Sequence, residues 1–260
     1  MKKGKKLYEG KAKIIFATSD KNVVIQHFKD DATAFNNQKK ANIEGKGILN
    51  NRISEHLLKS LTEIGIKNHL IKRLNMREQL VELVNIIPIE FIIRNIATGS
   101  LTKRLGIEEG TVLDYPLIEY CLKNDELGDP IVSREHILNF KWLNIVELNQ
   151  INKQCLRIND FLQGIFKGIE IKLVDFKIEF GKAKSDEKII LADEISPDTC
   201  RLWDQETDKK LDKDRFRKDL GDVVEAYQEV ARRLGILHEQ SNIRPIKFSK
   251  PTAVKIKKNK

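Results

Sequence analysis

The hydrophobic pattern begins with short runs broken by polar turns. Lys6–Glu9 and Ala12–Ala17 flank a turn at Gly10, and Val23–Phe28 follows the polar turn Ser19-Asp20-Lys21-Asn22. All three read as strands of a small antiparallel sheet. The period then changes. Ile48, Ile53, Leu57, Leu61 and Ile64 recur near helical spacing and Gly65 supplies a stop, which predicts a helix over 47–64. Leu70–Leu74 and Leu80–Ile87 return to strand patterns, and Pro88 reads as a domain junction. Beyond it lie a buried strand at Ile89–Ile93, a short helix at Ser100–Leu105 stopped by Gly106, and a strand at Leu117–Leu122. Asn144 with Glu147 three residues on is a capping box that opens a helix to about Phe166. Strands Glu170–Phe180 and Lys188–Asp193 follow, joined by the polar loop Gly181–Glu187. An amphipathic helix, Lys213–Leu234, closes at Gly235. This order predicts a two-lobed α+β (or α/β) architecture. Residues 1–87 form an antiparallel lobe with one helix, 88–237 a larger mixed α/β lobe, and 238–260 a tail. A cleft between such lobes is a common ligand site.

Composition narrows the class. The chain has 260 residues, 40% hydrophobic and 33% charged, enough to bury a core without staples. Arg94 interrupts the longest apolar run, so none approaches the roughly 18 to 20 residues of a membrane span. Leu7–Phe16 carries Glu9, Lys11 and Lys13 and is no secretory signal. A soluble cytoplasmic protein is expected, with no membrane partner. Cys121, Cys155 and Cys200 lie far apart, which argues against both a disulfide framework and a zinc site. The net charge of +9 suggests nucleic acid, but much of the excess sits in the tail. There Arg244, Lys247, Lys250, Lys255, Lys257, Lys258 and Lys260 face only Glu239. With Pro245 and Pro251, that segment reads as a solvated extension, and no nucleic-acid partner is expected.

The densest chemistry lies in Leu173–Gly181. Alternate strand side chains share a face. Val174, Phe176, Ile178 and Phe180 thus form an apolar face, and Asp175, Lys177 and Glu179 the opposite one. A solvated polar face is the plain reading of such alternation. The next strand changes it, because Ile189-Ile190-Leu191-Ala192 runs into Asp193-Glu194. A hairpin centred near Lys184 and Ser185 sets Asp193 opposite or diagonal to Lys177 and Glu179. Carboxylates brought together in this way need a counter-cation. Without histidine or cysteine ligand spacing, the expected ion is Mg2+, held by one or two carboxylates and nucleotide phosphates. Glu179 and Asp193 are its expected ligands.

Two further clusters suit phosphate. Tyr8-Glu9-Gly10-Lys11-Ala12-Lys13 sets two lysines beside a turn glycine, although it matches neither the P-loop nor the dinucleotide fingerprint. Lysines at strand edges also guard against aggregation. Arg94-Asn95-Ile96-Ala97-Thr98-Gly99-Ser100 carries an arginine off a buried strand into a helix start. Ser100, the helix amides and a bidentate arginine can hold a phosphate there. Arg201 follows Ser196-Pro197-Asp198-Thr199-Cys200, shortly after Asp193. A turn with a capping serine is the plainer alternative for each.

These segments resemble the SAICAR synthetase family. The closest likeness is at Ile86-Ile87-Pro88-Ile89-Glu90-Phe91-Ile92-Ile93-Arg94 through Gly99-Ser100, and at Leu173 through Gly181. It extends to Leu7–Phe16, Asp31-Ala32-Thr33-Ala34-Phe35-Asn36, Gly45-Lys46-Gly47 with Asn50-Asn51, Ser100–Gly110, Leu122–Pro130, Asp193–Asp204 and Asp212–Gly235. The motifs run in family order over about residues 5–237, and the tail departs from the compact family length. The resemblance implies an N-terminal lobe similar to the nucleotide lobe of kinases. It implies a homodimeric, Mg2+-dependent enzyme with ATP as co-substrate. Such an enzyme joins L-aspartate to 5-amino-4-carboxyimidazole ribonucleotide (CAIR), giving SAICAR, ADP and phosphate. By the same resemblance Lys11 and Lys13 hold the ATP phosphates, and Glu179 and Asp193 the metal. Arg94, Ser100 and Arg201 hold the CAIR 5′-phosphate, and Lys177 lies by the carboxylate being activated. Asp175 and Asp129 orient the imidazole amino group or the incoming aspartate. Adenine is expected between the lobes, against the backbone of Arg77–Leu83. Three rivals predict otherwise. A small-molecule kinase needs no aspartate. An RNA-binding protein would interleave aromatics with basic residues, yet aromatics make up 7%. A non-catalytic nucleotide module would lack Lys177 or a metal carboxylate.

Overall fold

The computed structural model describes residues 2–34 and 39–237. The basic tail, and Phe35 and Asn36 of one family-like segment, lie outside the described residues. β1 (Lys6–Glu9), β2 (Lys13–Ala17) and β3 (Val23–Phe28) form the expected meander. A hairpin of β4 (Asp31–Ala34) and β5 (Lys39–Asn42) follows. The sequence pattern missed it because these strands alternate no large apolar residues. α1 (Lys46–Glu63), β6 (Leu70–Arg73) and β7 (Glu78–Glu82) complete the lobe, whose sheet runs β1-β2-β3-β7-β6. Gly47 lets the start of α1 press on the chain leaving β3. A Cβ there would stand 2.7 Å from the Phe28 carbonyl oxygen and 2.8 Å from that of Lys29.

Leu80–Ile87 is not one strand. β7 ends at Glu82, and the chain passes to the second sheet at Leu83. β8 (Val84–Ile96) then runs straight through Pro88, so the proline does not separate two elements. Its register against the paired strand Ile171–Ala183 shifts between Glu179 and Gly181. A bulge of this kind accommodates a residue that lacks an N–H. After β8 come α2 (Ser100–Leu105), β9 (Val112–Leu122), a single 3-10 turn at Asp125–Leu127, β10 (Ile131–Val132) and α3 (Arg134–Asn139). α4 (Ile145–Gly168) opens with the expected capping box. Asn144 Oδ1 accepts the Val146 and Glu147 N–H groups at 2.9 Å, and Glu147 accepts that of Asn144. β11 (Ile171–Ala183), β12 (Ile189–Ala192) and β13 (Cys200–Asp204) complete an antiparallel sheet of order β10-β9-β8-β11-β12. β13 lies along the first half of β11.

The expected helix Lys213–Leu234 is broken into α5 (Asp214–Arg217) and α6 (Val223–Arg233). Between them Asp219, Gly221 and Asp222 take positive φ, at 55°, 69° and 48°. The Arg215 guanidinium satisfies the freed carbonyls of Leu220 and Gly221 at 2.9 and 2.7 Å. The amphipathic pattern spans the break because both pieces bury apolar side chains, Phe216 in one and Tyr227 and Val230 in the other.

One apolar cluster joins the two lobes. Ile53, Leu57 and Leu61 of α1 meet Phe91 and Ile93 of β8, and Phe176, Ile178 and Phe180 of β11. Ile151, Ile158 and Leu162 of α4 and Tyr227 and Val230 of α6 complete it. The architecture is two-lobed α+β, as expected. Packing the apolar face of β11 into this core leaves its other face to charged groups. Among the described residues no helix is long and apolar enough to cross a membrane.

Candidate active site

The register of β11 builds the floor of the site. Asp175 pairs with Arg94 of β8 on one side and Arg201 of β13 on the other. Glu179 pairs with Glu90 of β8 and Ala192 of β12. Directly opposed residues share a face, so Lys177 sits between these two rows. Most of this face is buried, with Asp175 and Glu179 4% and 3% exposed, and Lys177 is only partly exposed. β12 stops at Ala192, opposite Glu179, so Asp193 follows diagonal to Glu179, where the hairpin argument placed it.

A cleft of about 850 Å3 opens above this floor. Lys11 and Lys13 enter it from the β1–β2 turn, which the Gly10 N–H closes by donating to the Lys13 carbonyl at 2.9 Å. Lys177, Glu179, Asp193 and Asp129 share its wall. So do Glu90, Lys123, Glu194, Asp198, Lys213 and Arg217, which the sequence patterns did not single out. Glu90 carried a legible signal. It is the sole acid in the apolar run Ile86–Arg94 and has the strand parity of Arg94. Arg77–Leu83, the expected adenine contact, does not line this cleft.

Carboxylates and ammonium groups alternate through the cleft. Lys13 Nζ pairs with Asp193 and lies 3.1 Å from Glu194 Oε1. Lys177 Nζ lies 2.5 Å from Glu90 Oε1 and 3.3 Å from Glu179 Oε1, and Lys123 Nζ lies 2.6 Å from Glu179 Oε1. Burial alone would push the Lys13 ammonium down, but the charges of Asp193 and Glu194 reverse it and leave its pKa raised. Burial opposes Lys177 in the same way, and Glu179 and Glu90 raise it. Burial would raise the Asp193 carboxyl, but Lys13 and Lys177 hold it well below the usual carboxylate range. Both lysines therefore stay cationic and Asp193 anionic at neutral pH. Lys11 reaches across the lobes to Asp125 Oδ1 at 2.7 Å. Asp129 takes φ 50°, and its Oδ1 accepts the Asn124 N–H at 3.0 Å.

The structure also brings Arg94, Ser100 and Arg201 together, in a cluster beside the cleft. Asp175 Oδ2 accepts Arg94 Nη1 at 2.8 Å and Arg201 Nη1 at 2.7 Å. Arg94 Nη2 donates to Ser100 Oγ at 3.1 Å and its Nε to Glu119 at 2.6 Å. Gly99 has φ 64°, and a Cβ there would stand 2.8 Å from Arg201 Nη2, so only glycine lets the guanidinium lie against this turn. Asp175 itself lies between the two guanidiniums and is not among the residues lining the cleft. Arg217 ties the cluster to the cleft wall, because Asp214 accepts from Arg217 at 2.6 Å and from Arg201 at 3.0 Å.

Metal binding can be tested on the donor set. Among the described residues no group of three His, Cys, Asp or Glu side chains is poised to hold an ion. Glu179 and Asp193 offer hard oxygen donors in the cleft that the lysines share. Two carboxylates on one cleft wall are a donor set that fits Mg2+, which keeps most of its shell for water and phosphate oxygens.

A two-lobed α+β fold with lysines in its cleft and paired arginines beside it defines a protein that handles phosphorylated small molecules. The SAICAR synthetase family model matches residues 6–234. A phosphoribosylaminoimidazole-succinocarboxamide synthase of Pelagibacter ubique is 71% identical over 260 residues, 99% of this chain and 100% of its own length. One of Rhodospirillum centenum is 60% identical, covering 92% of this chain and 95% of its own. The solved structure of the Ehrlichia chaffeensis synthase has a TM-score of 0.88 at 57% identity, covering 90% of this chain and 100% of its own. A SAICAR synthetase in complex with ADP has a TM-score of 0.84 at 45% identity, covering 87% of this chain and 96% of its own. The chain belongs to the SAICAR synthetase family.

Proposed function

We infer that this chain is an ATP-dependent carbon–nitrogen ligase of de novo purine biosynthesis. It joins L-aspartate to CAIR and releases SAICAR, ADP and phosphate. One observation carries the reading. Lys11, Lys13, Lys177, Glu179 and Asp193, drawn from both lobes, share one cleft beside the cluster of Arg94, Ser100 and Arg201.

A carboxylate is a poor electrophile, and the aspartate amine cannot displace its oxygen. In the first step a CAIR carboxylate oxygen bonds to the γ-phosphorus while the bond to the β–γ bridging oxygen breaks, and ADP leaves. The amine then attacks the acyl carbon, loses a proton and expels phosphate. The residues supply position and fixed charge. Lys11 and Lys13 hold the ATP phosphates. Lys177, kept protonated by Glu179 and Glu90, stands by the CAIR carboxylate and the phosphoryl oxygens. Arg94, Ser100 and Arg201 hold the ribonucleotide 5′-phosphate, and Asp175 fixes the two guanidiniums from behind. Asp129, on the cleft wall, orients the imidazole amino group or the incoming aspartate. Glu179 and Asp193 would hold Mg2+, which when bound neutralises charge on the β- and γ-phosphates. A homodimer in the cytoplasm is part of the same reading.

The test is ADP release from the purified protein with ATP and Mg2+, omitting CAIR or aspartate in turn. Release that needs both, with a succinocarboxamide product, supports the ligase. Release that ignores aspartate would instead mark a small-molecule kinase on this fold.

A further inference from the structure

His69 supports the cleft from outside it. It precedes β6 in the first lobe, is 4% exposed, and its Nε2 lies 2.8 Å from the backbone oxygen of Asp193. Its backbone is fixed on both sides. The His69 N–H donates to the Leu191 carbonyl at 2.9 Å, and its carbonyl accepts the Glu82 N–H at 2.7 Å. Asn68 and Leu191 form an isolated parallel bridge next to it. This short stretch therefore stitches the first lobe to the end of β12. Asp193 takes φ 62°, a left-handed turn that aspartate can adopt and that a bond to its carbonyl can hold in place. A carbonyl oxygen only accepts, so Nε2 carries the ring proton and donates.

We propose that His69 is a positioning residue for the nucleotide end of the cleft: its bond to the Asp193 carbonyl holds that residue in the left-handed turn that aims its carboxylate at Lys13 and the metal–phosphate position. The inference rests on the reading of Asp193 as a Mg2+ ligand. The ring comes from the lobe that carries Lys11 and Lys13, and Asp193 from the other. The same bond therefore fixes the lysines and the carboxylate relative to each other across the lobe boundary.

The test is calorimetric titration of MgADP and, separately, CAIR into the full chain and its variants, with a thermal melt of each. His69→Leu, which fills most of the ring's volume without a donor, should weaken MgADP binding about 10- to 100-fold, the usual cost of losing an outer-shell partner. CAIR binding should be unchanged. His69→Gln, whose amide nitrogen can donate at similar reach, should restore most of the MgADP affinity. Equal losses in His69→Leu and His69→Gln, or equal losses for MgADP and CAIR, would overturn the proposal and leave His69 a packing residue. Asp193→Asn separates the two levels. If it loses MgADP affinity while His69→Leu keeps it, the proposal fails and the reading of Asp193 stands. If neither variant loses affinity, both fall.

Discussion

Replacing Asp175 with asparagine keeps the shape of the side chain and removes its charge. Asp175 is 4% exposed, and one of its oxygens receives both Arg94 at 2.8 Å and Arg201 at 2.7 Å. Removing one member of a buried ion pair costs about 3 to 5 kcal/mol, because the remaining charge is stranded in a poor dielectric. Here the stranding is incomplete. Arg94 keeps Glu119 at 2.6 Å and Arg201 keeps Asp214 at 3.0 Å. The low end of the range, about 3 kcal/mol, therefore applies. For a chain of this size that corresponds to a fall of roughly 6 to 12 °C in Tm. Phosphate should return part of the loss. Two guanidiniums released from their shared carboxylate make a stronger anion site, and a ligand of the folded state stabilises it by mass action. Scanning calorimetry of Asp175→Asn and wild type, in matched chloride and phosphate buffers, reads both effects. The reasoning is refuted if the variant melts with the wild type, or if phosphate stabilises it no more than the wild type.

Three further outcomes follow from the same geometry. Glu179→Gln removes a hard oxygen donor and should cut turnover by orders of magnitude while CAIR binding stays nearly intact. Near-wild-type turnover at limiting Mg2+ would remove Glu179 from the metal site. Arg94→Lys keeps the charge but loses the planar fork, so it should chiefly raise the KM for CAIR; an unchanged KM would take Arg94 out of the phosphate site. Asp212 is buried, and burial with the nearby Asp214 charge pushes its carboxyl up from 3.8 to about 7. The folded chain thus holds a proton that the unfolded chain releases. The stabilisation is full below about pH 4 and is lost as pH rises through about 7. In urea melts across that window, Asp212→Asn should show a flatter fall in stability than wild type, and an identical slope would exclude Asp212 as its source.

Much of the local structure was legible in the sequence, for identifiable reasons. The meander β1–β3, the helix α1 and the capping box of α4 each rest on short-range periodicity or a local hydrogen bond. The final helix was misread because the apolar spacing carries on from Phe216 to Val223. The break depends on positive φ at Asp219, Gly221 and Asp222, supported by a guanidinium. Pro88 misled in the opposite sense, since a bulge lets a strand continue through it. In the site, parity within β11 revealed that Asp175, Lys177 and Glu179 share a face. It could not reveal which strands flank β11. Their identity decides that Asp175 lies between two arginines and that Glu90 is the partner of Lys177, and Lys123 reaches Glu179 from the end of β9, one strand further out. His69 had no sequence signal, because its role depends on a backbone carbonyl far along the chain.

The measurement that bears most directly on the account follows oxygen through the reaction. With CAIR carrying 18O in both carboxylate positions, activation by the γ-phosphoryl group requires one labelled oxygen to leave with phosphate in each turnover. The account predicts about one 18O in the released phosphate and one in the amide of the succinocarboxamide, with transfer dependent on ATP. Unlabelled phosphate alongside authentic product would contradict it.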